Sequence, residues 1–129
     1  MGVMNLDVEA ARAARAMTGA LAGHTKEKEP LENVATKALG VVQEAGVYSG
    51  MLFLLTRGEK EKPAATAVRR ALLELAKKIQ PTETNGVAAD GGLKYIAEEV
   101  GGDLDTLLLV KQAWEQALVY CRYGAKAME

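Results

Sequence analysis

Residues 104–128 read LDTLLLVKQAWEQALVYCRYGAKAM, and this stretch decides the fold. Apolar residues recur along it at the three- and four-residue spacing of one helix face: Leu107, Val110, Trp114, Leu118, Cys121, Ala125 and Met128. Arg122 and Lys126 lie beside this stripe, one turn apart, and Tyr123 points outward. The pattern predicts a long closing helix that anchors a helical bundle and shows a cationic flank to the outside.

Composition favours the same fold. The chain has 129 residues, which is the length of one domain, and 49% of them are hydrophobic. Aromatic residues make up only 5%, while alanine, the best helix former, is abundant. We therefore predict an all-α fold: a single domain, residues 1–129, built as a bundle of about five to six helices with a long C-terminal helix.

The first half of the chain predicts two amphipathic helices. The first begins at Asp7 as N-cap, buries a stripe of small and apolar residues, and ends at Gly23. The second begins with Pro30, and Gly46 stops it as a C′ glycine does. Their predicted inward residues are Ala10, Ala13, Met17 and Leu21 in the first helix, and Leu31, Val34, Ala38, Val42 and Ala45 in the second.

Three further elements lie between Gly46 and the closing helix. Residues 47–57 are apolar nearly all round, which predicts a buried helix, since no second strand-like segment exists to pair with a strand. A helix follows from Pro63 to about Gln80, and residues 81–92 form a loop. A short helix then ends at Gly101-Gly102, and Asp103 caps the closing helix.

Charge and cysteine content bear on the location of the protein. The formal net charge is −1, which does not by itself indicate a nucleic-acid binder. The single Cys121 fits a reducing compartment, so we expect a cytoplasmic protein. The first residues show no apolar signal, and the longest apolar run, residues 51–55, is too short to cross a bilayer; no membrane partner is expected.

The sequence offers no catalytic constellation. Its one histidine, His24, falls in a polar loop, and its one cysteine, Cys121, falls on the buried stripe, so nothing pairs a nucleophile with a base. Two Cys/His residues are too few for a zinc site, and no phosphate-binding loop occurs. We expect a non-enzyme with no catalytic residue, no metal and no cofactor.

Basic side chains are better organised than their number suggests. Several helix stretches carry lysine or arginine without an intervening acid, and most acids lie in loops and at helix ends. Such faces either track a phosphate backbone or are ordinary solvated surfaces, and spacing alone leaves both interpretations open. The candidate RNA-binding residues are Arg12, Arg15, Lys37, Arg69, Arg70, Lys77, Arg122 and Lys126.

Two stretches carry a resemblance to a known family. Residues 38–47, ALGVVQEAGV, continuing to the apolar residues 52–54, and the ending QAL followed by YCRYGAKA at residues 116–127, resemble motifs of one group of proteins. This group is the small α-helical subunit, the fifth subunit, of Cmr-type (type III-B) CRISPR effector complexes. An Arg-Ala step in the first helix, at Arg12 or Arg15, fits as well.

The resemblance implies a role in antiviral defence. Such subunits stack in several copies along the inner filament of an RNA-guided RNA-silencing ribonucleoprotein. There they accompany a repeated backbone subunit and a large subunit, and they line the channel where target RNA pairs with the guide crRNA. Cleavage belongs to other subunits. The related small subunit of the Csm (type III-A) complex, a helical adaptor that binds only protein, and a small enzyme remain alternatives.

Overall fold

A computed structural model of the protein describes residues 4–82 and 90–128, and every regular element within them is helical. The five helices are α1 (Leu6–Ala20), α2 (Lys28–Leu55), α3 (Lys62–Ile79), α4 (Leu93–Tyr95) and α5 (Leu104–Lys126). A 3-10 turn, Thr25–Glu27, precedes α2, and a π-helical turn, Ile96–Val100, continues α4. The prediction of an all-α bundle with a long C-terminal helix is confirmed.

The closing helix α5 lies at the centre of the bundle, as its stripe predicts. The residues of this stripe from Val110 to Ala125 are buried, whereas Leu107 and Met128 are partly buried at its two ends. Trp114 is fully buried, and its indole Nε1 donates a hydrogen bond to the backbone oxygen of Leu72 in α3, at 2.9 Å. This bond joins α5 to α3 through the core.

α1 packs against one flank of α5, and its start differs from the prediction. The N-cap is Asn5, whose side chain accepts a hydrogen bond from Val8 N at 3.2 Å, and not Asp7. Asp7 instead lies in the first helical turn, where its carboxylate accepts a hydrogen bond from the Tyr120 hydroxyl of α5. The prediction failed because asparagine and aspartate are both good N-cap residues, and the Asp7 side chain bonds to Tyr120 of α5 instead of capping α1.

α2 is two helical arms, residues 28–45 and 47–55, that meet at a sharp turn. Gly46 has φ 92° and ψ −178°, a conformation that is nearly confined to glycine. A Cβ on Gly50 would lie 2.6 Å from Val42 Cγ2, although eight residues of straight helix span about 12 Å. The second arm therefore folds back on the first, which confirms the predicted stop at Gly46.

Residues Thr25–Leu55 form the one described helix that is long and apolar enough to cross a membrane, by length and composition only. The turn at Gly46 interrupts it, so the two arms do not form one straight rod. Both arms also contribute to the core of the bundle, through residues such as Leu31 and Met51. Burial in the core accounts for part of the apolar character of this segment, since 39% of its most apolar 18-residue window is buried.

The second arm of α2 is less buried than its composition predicts. Val47, Met51 and Leu54 face the core, but Tyr48 and Leu52 are exposed by 42% and 40%. The prediction of a wholly buried helix is wrong here because the arm packs through one face only. Phe53 is partly buried and lies under the Arg57 guanidinium, 3.8 Å from ring centroid to Cζ.

Most other predicted elements agree with the structure. Leu31, Val34, Ala38 and Val42 are buried, but Ala45, beside the turn, is exposed. α2 begins at Lys28, two residues before Pro30. Asp103 caps α5 as predicted, since its carboxylate accepts a hydrogen bond from Thr106 N at 3.0 Å. Of the predicted 81–92 loop, residues 83–89 lie outside the described residues.

Gly46 gives a first testable prediction. Gly46→Ala should lower the free energy of unfolding by about 1–3 kcal/mol, because the backbone of an alanine is strained at this φ and ψ. No heavy atom lies within 4 Å of the added Cβ, so the cost is conformational and not steric. Urea unfolding followed by circular dichroism measures it.

Gly40 supplies the matched control, since it lies within the first arm of α2 and also has free space around it. Gly40→Ala should stabilise the protein by roughly 0.5–1 kcal/mol, because alanine is favoured over glycine inside a helix. Equal effects of the two substitutions would show that the turn does not depend on Gly46.

Candidate nucleic-acid interface

A groove of roughly 380 Å³ runs between α1 and α3. The two helices run in opposite directions, since Glu9 near the start of α1 pairs with Lys78 near the end of α3. Alanines from both helices line the groove: Ala13, Ala16 and Ala20 from α1, and Ala67 and Ala71 from α3. Because these side chains are small, the surface between the two helices is concave.

The rim of this α1/α3 groove carries charge of both signs. Three cations line it, Arg12, Arg70 and Lys78, together with the two acids Glu9 and Glu74. Arg12 and Arg70 come from helices whose sequences are far apart, and the sequence alone treated them as separate faces. The fold brings them to one concave surface.

Glu9 holds two of the three rim cations. Its carboxylate lies 2.8 Å from Lys78 Nζ and 3.1 Å from an Arg12 guanidinium nitrogen, and its side chain is only 16% exposed. The hydrogen bond from Lys78, with the charge of both cations, holds the pKa of Glu9 below its usual value. Glu9 therefore remains ionised at neutral pH and partly neutralises this end of the groove.

Arg70 on the rim of the groove and Arg15 elsewhere on α1 have no such partner. Arg15 and Arg70 are exposed, and neither side chain pairs with a carboxylate among residues 4–82 and 90–128. Arg69, next to Arg70, is partly buried, and burial followed by the charge of Arg70 lowers the pKa of its guanidinium. Of the three rim cations, Arg70 is therefore the one without a carboxylate partner among the described residues, and Arg15 is a free cation elsewhere on α1.

The remaining candidate residues lie elsewhere or are paired. Lys37 of α2 lies 3.3 Å from Glu61, which also faces Arg57 at 3.7 Å. Lys77 lies 3.2 Å from Glu74 on its own helix. These intramolecular partners reduce the charge that either lysine offers to a ligand.

Arg122 and Lys126 form a separate flank on α5. Lys126 lies 3.9 Å from Glu32 of α2, whereas α1 packs against α5 near Gly124, whose added Cβ would lie 3.1 Å from Thr18. This flank is therefore directed toward α2 and away from the α1/α3 groove. Arg122 is partly buried, and its Nε has no hydrogen-bond partner in the part of the chain that the structure describes.

The residues that the sequence analysis considered for chemistry lie in different surroundings. Burial raises the pKa of the Cys121 thiol to about 12, so it is a protonated, unreactive core residue. His24 is exposed, and Tyr123 points outward with 65% exposure, as predicted. Within the described ranges, no three His, Cys, Asp or Glu side chains are grouped to hold a metal ion.

Sequence reasoning missed Glu9 and Lys78 as members of this surface. Their pairing joins residues 69 positions apart, so no local spacing signals it. The alanines of the groove were also interpreted only as helix formers or core residues. The sequence did contain one signal of the groove. Ala16 and Ala20 lie off the predicted core stripe of α1, yet both are small residues.

Comparison with known proteins adds no relative. No protein-family model matches the chain, and neither the curated proteins nor the solved structures contain a match to it.

Proposed function

We propose that the chain is the non-catalytic small subunit of a type III-B (Cmr) CRISPR ribonucleoprotein, which contacts the backbone of guide or target RNA through its basic helix faces. The resemblance of residues 38–54 and 116–127 to that family supports the assignment. The observation that carries RNA contact is the α1/α3 groove, whose rim brings Arg12 and Arg70 together, with Arg15 exposed elsewhere on α1.

The chemistry of this face suits a phosphate backbone. Guanidinium groups bind phosphate oxygens through paired hydrogen bonds, and each neutralised phosphate releases counterions. Phosphate contacts fix the position of a nucleic acid without reading its sequence. A subunit that accompanies many different guide–target duplexes needs contacts of this kind.

Among the predicted faces, the α1/α3 face is the best supported. Arg70 is free there and Arg15 is free on α1, whereas Lys37 and Lys77 are paired with carboxylates of this chain. The flank of Arg122 and Lys126 is a second candidate, with Lys126 in only a long ion pair at 3.9 Å. Its separation from the groove suggests that the two surfaces meet different components of a complex.

Assembly with purified subunits tests the family assignment. The tagged chain is mixed with the repeated backbone subunit of a type III-B complex, loaded with crRNA, and in parallel with that of a type III-A complex. We expect co-elution with the type III-B components. Co-elution with the type III-A components alone would favour the Csm alternative, and RNA-independent binding to protein alone would favour an adaptor.

Glu9→Gln tests whether the α1/α3 groove contacts RNA, because an ordinary solvated surface would not respond to this substitution. Removing this carboxylate frees Lys78 and Arg12, so affinity for an RNA duplex should rise about threefold or more at low salt. Fluorescence anisotropy with a labelled duplex measures the change. Glu44→Gln is the matched control. Glu44 is exposed on α2, and its substitution removes the same charge without freeing a cation of the groove.

Equal gains from Glu9→Gln and Glu44→Gln would mean that only net charge matters. No gain from Glu9→Gln would place RNA away from the α1/α3 groove.

A further inference from the structure

The first two turns of α5 expose an unusual amount of apolar surface. Leu104, Leu108 and Leu109 are 67%, 53% and 42% exposed, although they lie within six residues of one another. They share the outward arc of the helix, opposite the buried Val110 and Trp114. Isolated exposed leucines are common, but a cluster of this kind marks an interaction surface.

The charged side chains within the start of α5, residues 103–110, are acidic, and the next cation along the helix, Lys111, lies 3.6 Å from Glu115. Asp105 lies between them on the same outward arc, and Asp103 caps the helix beside Leu104. Glu98 precedes the helix, and its backbone oxygen lies next to Gly102, where an added Cβ would be 2.7 Å away. No lysine or arginine occurs between residues 95 and 110. We name this surface the α5 start surface: Leu104, Asp105, Leu108 and Leu109, with Glu98 and Asp103.

Two of these acids, Asp105 and Glu98, are available to a ligand, whereas Asp103 is engaged in the helix cap. The hydrogen bonds from the Thr106 hydroxyl and backbone hold the pKa of Asp103 below its usual value. Asp105 and Glu98 are exposed, and neither pairs with a cation within the described ranges 4–82 and 90–128. An apolar strip with free carboxylates along it is complementary to an apolar strip with free cations along it.

We infer that the α5 start surface docks a basic amphipathic helix of another protein. The apolar stripe of that helix covers Leu104, Leu108 and Leu109, and its lysines or arginines face Asp105, Asp103 and Glu98. This is helix-on-helix recognition by spaced apolar anchors with flanking charge. The surface is separate from the basic residues of the α1/α3 groove, so this inference holds whether or not the groove binds RNA.

A second copy of the chain is a poorer occupant on charge. A copy offers two basic surfaces. In its α1/α3 groove, Glu9 and Glu74 line the rim and would face these acids. On the flank of Arg122 and Lys126, the lysine lies 3.9 Å from Glu32 of its own chain. Two of the three rim cations, Arg12 and Lys78, are already paired with Glu9. A partner helix with unpaired lysines or arginines avoids both disadvantages.

Two synthetic peptides test the inference with the full chain. Each is about 18 residues long, enough to form a helix, and carries the same leucine stripe. One has lysines along its polar flanks and the other has glutamates. We expect the lysine peptide to bind the wild-type chain at least tenfold more tightly than the glutamate peptide, as measured by fluorescence anisotropy.

Substitutions in the chain test where the lysine peptide binds. Leu104→Ala with Leu108→Ala should lower the affinity for the lysine peptide about tenfold, because the double substitution removes exposed apolar anchors while alanine keeps the helix. Tyr48→Ala with Leu52→Ala is the matched control on the exposed face of α2 and should leave binding unchanged. Asp105→Lys should weaken the lysine peptide and strengthen the glutamate peptide, which a loss of folding cannot do.

Equal binding of the two peptides, or an equal loss in the α2 control, would overturn the inference. So would sedimentation showing that the wild-type chain self-associates and that Leu104→Ala with Leu108→Ala abolishes this, since the occupant is then a second copy.

Discussion

Trp114→Ala should destabilise the protein by about 3–5 kcal/mol, the largest loss expected from one substitution outside a turn. Trp114 is fully buried at the centre of α5, so its removal leaves a large cavity among helices that pack closely. The substitution also removes the hydrogen bond from Nε1 to the Leu72 oxygen. Since small domains are stable by about 5–15 kcal/mol, this variant should unfold at much lower urea concentration.

Trp114→Phe is the matched control, because it keeps most of the apolar volume and removes the hydrogen bond. It should cost clearly less than Trp114→Ala, which separates packing from hydrogen bonding. Leu104→Ala, at an exposed position of the same helix, should be nearly neutral. A small effect of Trp114→Ala would contradict a core centred on α5.

The second large effect concerns RNA affinity. Arg15→Ala with Arg70→Ala removes the free guanidinium of the groove rim and that of exposed Arg15 on α1, and should reduce the dependence of log affinity on log salt by about two units of slope. Affinity should fall alike for unrelated duplex sequences, because phosphate contacts carry no sequence information. Anisotropy titrations over a range of salt concentrations measure both quantities.

Lys60→Ala with Lys94→Ala is the matched control. Both lysines are exposed and lie outside the groove, and the double substitution removes the same charge. Its slope should stay close to that of the wild-type chain. An equal decrease in both double variants would show a diffuse effect of net charge. A decrease confined to Arg122→Ala with Lys126→Ala would move the RNA contact to the flank of α5.

Much of the fold was predictable because it depends on local patterns. The stripe of α5, the stop at Gly46 and the cap at Asp103 follow from periodicity and backbone preference, which neighbouring residues determine. The exposure of Tyr48 and Leu52 was not predictable in this way. Apolar residues all round a short helix do not show which face the rest of the bundle covers.

The candidate site was predictable only as a set of residues. Arg12, Arg15 and Arg70 were identified from stretches free of acids, but the common face of Arg12 and Arg70 requires α1 and α3 to pack together. The partners that hold Lys37 and Lys78 come from 24 and 69 residues away, so spacing could not separate free cations from paired ones. The fold decides which charges remain available to a ligand.

One titration tests the central claim most directly: binding of the wild-type chain to two guide–target duplexes of unrelated sequence, at several salt concentrations. We predict that log affinity falls linearly with log salt and that the slope is the same for both duplexes. A slope near zero, or measurable binding of only one sequence, would contradict a subunit that contacts the RNA backbone.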